Sequence, residues 1–245
     1  MLLIDAGNSR IKWALVEGGA WAQQGVADHT EWIALQQAFA ALPPPRKILV
    51  SNVAGYEAAQ RIRAACAAWP CPVEFITPEA EQCGVRNSYE QPAQLGSDRW
   101  AALVAAWHQE RTACLVVNCG TATTIDALSA RGEFIGGVIL PGMDMMLRSL
   151  SEGTAGLTAA AGTWRKFPRN TADAMCSGAI QATVGAIRQQ FELLGVAGAR
   201  CLLSGGAADR VQPHLGLPLE RVDNLVLRGL QIIGQECPQR QKRGA

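Results

Sequence analysis

The 245-residue chain is expected to be an α/β protein made of two copies of one β-β-β-α-β-α unit, and three observations lead there. The chain matches itself when slid by 113 positions, from Leu2 onto Leu115. Each copy opens with an apolar run of strand length that breaks at a glycine turn. Long alanine-rich stretches with helical spacing follow each copy.

The repeat aligns Leu2-Leu3-Ile4-Asp5-Ala6-Gly7 with Leu115-Val116-Val117-Asn118-Cys119-Gly120. At the same offset Ala14-Leu15 falls on Ala127-Leu128, Gly19 on Gly132 and Trp21 on Phe134, a match of roughly 20 residues. A second strand and a third are expected in each copy, separated by turns at Gly18-Gly19 and Arg131-Gly132, so that each copy begins as a β-meander. Glu31 to Leu42 reads as a helix stopped by Pro43-Pro44-Pro45, Lys47 to Val53 as a buried strand, and Tyr56 to Trp69 as a helix ending before Pro70. Further helices are expected over Asp98 to Arg111, Ala172 to Leu194 and Asn224 to Gln235, and Arg200 to Leu203 reads as a strand running into Ser204-Gly205-Gly206-Ala207. The boundary between halves is placed at 113/114, giving domains 1–113 and 114–245. A β-β-β-α-β-α plan used twice is that of the actin, sugar-kinase and Hsp70 architecture (ribonuclease H-like), in which a nucleotide lies in a cleft between the halves.

Composition narrows the class. Hydrophobic residues make up 49% of the chain, enough for a buried core. Twenty-two basic against 21 acidic residues leave a net charge of +1, and the only basic cluster is the tail Arg240 to Arg243, so neither nucleic acid nor an anionic membrane is an expected partner. The apolar run Met1 to Ile4 is too short for a secretion signal and no membrane-spanning stretch follows, which points to the cytoplasm. The eight cysteines, Cys237 among them, form no C-x-x-C pair and the three histidines are scattered, so disulfides and a zinc site are not expected.

Four motifs carry chemistry. Asp5-Ala6-Gly7-Asn8-Ser9 sits at the first hairpin turn, where Gly7 could take positive φ, backbone N–H groups could hold phosphate oxygens, and Asp5 could orient a hydrated Mg²⁺. The same residues also suit an ordinary hairpin turn. Gly120-Thr121-Ala122-Thr123-Thr124 occupies the corresponding turn of the second copy, and this pairing raises both above chance. Ser204-Gly205-Gly206-Ala207 would let the backbone approach an adenine or ribose, though Gly-Gly after a strand is a common turn. Gly96-Ser97-Asp98-Arg99 opens a helix. It offers a carboxylate to accept a hydroxyl proton and a cation to anchor an acidic substrate, and it reads equally as a helix cap with a surface arginine.

These pieces, in order and spacing, resemble the type III pantothenate kinases, enzymes of the first step of coenzyme A synthesis. The matching segments are Asp5 to Ser9, then Tyr89-x-x-Pro92-x-x-Leu95-Gly96-x-Asp98-Arg99, then Gly120-Thr121-Ala122-x-Thr124-x-Asp126. They continue through Gly136-Gly137-x-Ile139-x-Pro141-Gly142, Asn170-Thr171-x-x-Ala174-Met175-x-x-Gly178 and Ser204 to Ala207, and cover the chain from Ile4 to about Gly229.

The resemblance implies ATP-dependent phosphorylation of the primary hydroxyl of pantothenate. It makes Asp5, Ala6, Gly7, Asn8, Ser9, Arg10, Ile11 and Lys12 the first ATP phosphate loop, with Thr121 contributing from the second and Gly205 and Gly206 near the adenosine. Asp98 becomes the base, while Tyr89, Gly96, Ser97, Asp98, Arg99 and Thr171 form the pantothenate pocket, with Arg99 on the carboxylate. It also implies Mg²⁺ with ATP, a homodimer whose acceptor pocket borrows from the partner subunit, and a monovalent cation, K⁺ or NH₄⁺. The carboxylate that holds this cation in many members is Asn118 here, and a neutral amide is a weaker ligand for a hard ion, so the cation requirement is in doubt. Two other readings stand beside this one: a transcriptional accessory factor from a branch of the same family, and another actin-like phosphotransferase or phosphatase.

Overall fold

The computed structural model describes residues 1–154, 156–157 and 161–236; Cys237 and the basic tail Arg240 to Arg243 lie outside the described residues. The chain forms two compact units, Met1–Gln109 together with the segment from Asn224 onward, and Glu110–Asp223.

In the first unit β1 (Leu2–Ala6), β2 (Arg10–Glu17) and β3 (Ala20–Asp28) form the expected meander, followed by α1 (Trp32–Ala40), β4 (Ile48–Asn52), α2 (Gly55–Ala65) and β5 (Val73–Phe75). The strand order is β3-β2-β1-β4-β5, with β1 antiparallel to β2 and parallel to β4. Leu2, Leu3 and Ile4 are fully buried because a central strand is covered on both faces, which is why β1 reads as a continuous apolar run instead of an alternating one. Leu2, Ile4, Ile11, Trp13, Phe39 and Ile62 build the core, and Trp13 meets Phe39 edge to face at 5.7 Å between ring centroids. A small hairpin, β6 (Glu81–Gln82) with β7 (Val85–Asn87), precedes α3 (Ser97–Glu110).

The second unit repeats the plan. β8 (Cys114–Cys119), β9 (Ala122–Leu128) and β10 (Glu133–Pro141) form its meander, and α4 (Met143–Gly153), α5 (Thr171–Leu194), β11 (Arg200–Ser204), α6 (Ala208–Leu215) and β12 (Leu219–Arg221) follow. Its strands lie in the order β10-β9-β8-β11-β12, the same as in the first unit, so the two units are topological copies. The ungapped repeat nevertheless slips by one residue after the first turn. Gly7 to Arg10 separate Ala6 from its partner Ile11, whereas only Gly120 to Ala122 separate Cys119 from Thr123. Ala14 therefore corresponds to Asp126, and the apparent match to Ala127 is one residue out.

The closing helix α7 (Leu225–Glu236) packs on β1 and β4 of the first unit, although in sequence it lies beyond the 113/114 boundary, in the stretch expected to belong to the second domain. Gly229 makes this possible, since the α7 backbone runs directly against Ala101 of α3. The described cysteines are all free; burial pushes the Cys66, Cys114, Cys119 and Cys201 thiols up to about 12, so these behave as small hydrophobes. Among the described residues no helix is long and apolar enough to cross a membrane.

A methyl group on Gly229 would overlap the Ala101 carbonyl. Gly229→Ala gains about 1 kcal/mol of helix propensity but incurs about 1–3 kcal/mol of overpacking against rigid backbone. A net loss of stability is expected in urea denaturation, and a more stable variant would show that α7 does not pack this closely.

Candidate active site

Asp5 is the penultimate residue of β1, and its cross-strand partners are Lys12 on β2 and Ser51 on β4. Ser51 is fully buried and its hydroxyl lies 2.9 Å from that of Ser97, the first residue of α3. A buried hydroxyl pair of this kind must be satisfied internally, so it fixes where α3 begins. The next residue, Asp98, is thereby brought close enough to Asp5 for their charges to interact.

Asp98 sits in the first turn of α3 and its Oδ1 accepts the Arg99 N–H at 2.8 Å. Gly96 leaves room for that carboxylate, because a Cβ at this position would stand 2.6 Å from Asp98 Oδ1. Burial raises the Asp98 pKa, and the Arg99 N–H bond and guanidinium charge pull it partly back. Asp5 is pushed up to about 7, first by desolvation and then by the charge of Asp98, with Lys12 opposing both. A carboxylate pair strained in this way suits a cation placed beside it. Among the described residues no group of three or more His, Cys, Asp or Glu is arranged as a metal cage. One or two carboxylates could hold a hydrated divalent cation only if further ligands came from outside the protein.

Arg99 is 6% exposed, so it is no surface arginine; its guanidinium donates to the Tyr89 hydroxyl at 3.0 Å and lies 5.8 Å from the centre of that ring. Tyr89 is placed in turn by Asn87, whose side-chain oxygen accepts the Tyr89 N–H at 3.1 Å. Tyr89, Gly96, Ser97, Asp98, Arg99, Asp5 and Lys12 thus form one connected neighbourhood in the first unit.

The first turn differs from expectation in one respect. Gly7 keeps an ordinary φ, and the turn closes through the Gly7 N–H to the Arg10 carbonyl at 3.1 Å, as the second turn closes through the Gly120 N–H. A Cβ on Gly7 would meet only the Arg10 carbonyl, at 3.4 Å, and a Cβ on Gly120 of the second turn would meet only the Ala122 carbonyl, at 3.5 Å. Neither glycine is therefore required by packing, and a Cβ would be tolerated at either turn. Asn8, Ser9 and Arg10 are exposed, Arg10 pairing with Asp28 at 3.3 Å, whereas the Ala6 and Ile11 side chains are fully buried and only their backbone could reach a ligand.

In the second unit Asn118 stands at the end of β8 opposite Thr124 on β9 and Ser204 on β11. The Thr121 carbonyl accepts the Gly142 N–H, and Gly205, at φ +97°, packs on the Cys119 backbone, whose carbonyl accepts the Ala207 N–H at 3.1 Å. A side chain on Gly142 or Gly205 would collide with the second turn. Arg221 holds the Gly205-Gly206 segment by donating to the Gly205 carbonyl at 3.2 Å while pairing with Asp209 and Asp223. Thr171 is the first residue of α5. It is exposed, beside the Asn170 cap whose side chain accepts the Asp173 N–H at 2.8 Å. Sequence reasoning missed Ser51 and Arg221; a lone serine in the otherwise apolar run Ile48 to Val50 was the only signal for the first.

The duplicated strand order and these paired turns define an actin-like fold. Solved structures agree: a Baf family transcriptional activator from Campylobacter jejuni superposes with a TM-score of 0.61 at 23% identity, over 96% of this chain and 98% of that one. A 2-dehydro-3-deoxygalactonokinase from Sinorhizobium meliloti does so at 0.57 and 14% identity, over 94% and 96%. At the sequence level, the family model for type III pantothenate kinase matches residues 1–193. The type III pantothenate kinase of Aromatoleum aromaticum is 51% identical over 237 residues, 96% of this chain and 98% of that protein, and that of Nitrosospira multiformis is 46% identical over 96% and 91%. The chain belongs to the type III pantothenate kinase family.

Two outcomes are expected of this geometry. Gly96→Ala should lower turnover while leaving the melting temperature nearly unchanged, since only the Asp98 carboxylate has to move; equal turnover would show that its position is not critical. Asp5 binds its proton more tightly folded, at about 7, than unfolded, at 3.8, so its contribution to stability is present at low pH and lost as pH rises between those values. The urea midpoint of the ligand-free protein should therefore fall more steeply from pH 5 to pH 7.5 than that of Asp5→Asn, and parallel pH profiles would refute the shift.

Proposed function

We propose that this chain is a pantothenate kinase that transfers the γ-phosphate of ATP to the primary hydroxyl of pantothenate, in the cytoplasm. The observation that carries the reading is the Asp5–Asp98 corner beside buried Arg99, in a chain of this family.

Asp98 is the base. Burial raises its proton affinity, so its carboxylate accepts a hydroxyl proton more readily than an exposed one would. The hydroxyl oxygen attacks the γ-phosphorus in line, the bond to the bridging oxygen of ADP breaks, and the proton ends on Asp98. Arg99, oriented by Tyr89, anchors the pantothenate carboxylate. Backbone N–H groups of the Asp5 to Lys12 turn hold phosphate in the first unit, and those near Gly120 and Thr121 do so in the second. Gly205 and Gly206 lie along the adenosine, and Thr171 contacts pantothenate. Asp5 would help to hold Mg²⁺, which would supply positive charge against the transferred phosphate.

The strand partners of Asn118, Thr124 and Ser204, are neutral, which supports a kinase without a strong monovalent-cation site. A homodimer is supported by exposed large apolar side chains on β10 and α4, Ile135, Ile139, Met145 and Leu150 being between 38% and 62% accessible.

The test is a coupled phosphorylation assay with ATP, Mg²⁺ and pantothenate, with sugars and acetate as alternative acceptors. Turnover with pantothenate alone is expected, and its absence from folded protein would favour a regulatory role. Asp98→Ala should cut that turnover by about a hundredfold or more, the usual scale of a general base, and unchanged turnover would remove Asp98 from the mechanism. Turnover in sodium should match that in potassium or ammonium within about twofold, whereas a strong requirement for either ion would show that Asn118 or its neighbours still hold one.

A further inference from the structure

The Gly7 carbonyl makes no bond within its own turn. It meets the imidazole of His29, with Nε2 at 2.7 Å. A carbonyl oxygen only accepts, so Nε2 carries a proton and donates it.

His29 is itself held firmly. It follows the last residue of β3, Asp28, whose N–H donates to the Glu31 carboxylate at 2.8 Å and whose carbonyl accepts the Glu31 N–H at 2.9 Å. Its ring packs on Trp32 with centroids 5.8 Å apart. Beside this ring the turn borders a cavity of about 260 Å³ lined by Asn8, His29, Trp32, Ala54, Glu57 and Arg61. The hydrogen bond, more than close packing, therefore fixes the peptide that follows Gly7.

That peptide matters because of what lies on its other side. In a trans peptide the carbonyl and the next N–H point in opposite directions, and the described chain contains no cis bond. Holding the Gly7 carbonyl toward His29 points the Asn8 N–H away from it. A flip of this peptide would turn ψ of Gly7, where the glycine has no side chain to resist it, and φ of Asn8, so the His29 bond adds to what holds the amide in place.

We propose that His29 is a positioning residue of the phosphate turn, orienting the Asn8 amide as an anion donor through the Gly7 carbonyl. The inference rests on the reading that this turn binds phosphate.

The test uses the full chain with His29→Ala and His29→Gln, reading the affinity for Mg²⁺-ADP by calorimetry and the KM values for ATP and pantothenate. Losing one such bond should weaken ADP and raise the ATP KM by about tenfold in His29→Ala, with the pantothenate KM within about twofold of wild type. His29→Gln keeps a donor for the same carbonyl and should recover most of the loss. An unchanged ATP KM in His29→Ala, with wild type binding and turning over, overturns the role of His29 alone. Equal damage in both variants, with the pantothenate KM rising and the melting temperature falling, also overturns it, as that is a folding role. A wild type that binds no Mg²⁺-ADP and shows no turnover brings down the phosphate-turn reading and this inference together.

Discussion

Two half-buried carboxylates close enough for their charges to interact are the constraint on which the first unit is organised. Asp5 and Asp98 come from elements 93 positions apart in sequence, and nothing in their own chemistry would bring them together. The sheet register sets Asp5 beside Ser51, the Ser51–Ser97 hydrogen bond fixes the first residue of α3, and Gly96 makes room for the Asp98 carboxylate. Desolvation is the larger cause of the raised Asp5 pKa and the neighbouring charge the smaller, so even one of these carboxylates alone would sit uneasily in this corner. Such local strain persists because the fully buried core of Leu2, Ile4, Ile11 and Ile48 holds β1 in place regardless.

The duplication repeats the scaffold but changes its charge. At matching strand ends the first unit carries Asp5, Lys12 and Ser51, and the second carries Asn118, Thr124 and Ser204. The serine persists while both charged positions become neutral. One copy thus carries charge at this corner and the other is neutral. The other offers backbone amides, hydroxyls and close-packed glycines, with Arg221 fastening Gly205 from behind. The difference follows from which residues the shared topology places at the ends of β1 and β8.

Much of this was legible in the chain. The apolar runs, the Gly18-Gly19 turn and the long alanine-rich helices appear within a few residues of their expected places, since each is governed by local propensity and period. The short strands β5, β6, β7 and β12, of two or three residues, were not legible, because tertiary pairing and not local pattern makes them strands. Helix α4 was missed as well: its methionines and leucines follow directly on a strand with no stop signal beyond Gly142. The motif residues Asp5, Asp98 and Arg99 were readable as chemistry, but the burial of Arg99 and the Ser51–Ser97 bond exist only once the helix meets the sheet. The positive φ that Gly7 could have taken is absent, as it is at Gly120, since both turns close through the glycine N–H, onto the Arg10 and Ala122 carbonyls.

The most direct test of the account is a carbon-detected NMR titration of the Asp5 side-chain carboxyl in the ligand-free protein and in Asp98→Asn. The account predicts a midpoint near 7 in the wild type that moves down when the Asp98 charge is removed. A midpoint in the ordinary range near 3.8, unmoved by Asp98→Asn, would mean that the two carboxylates do not share a half-buried corner.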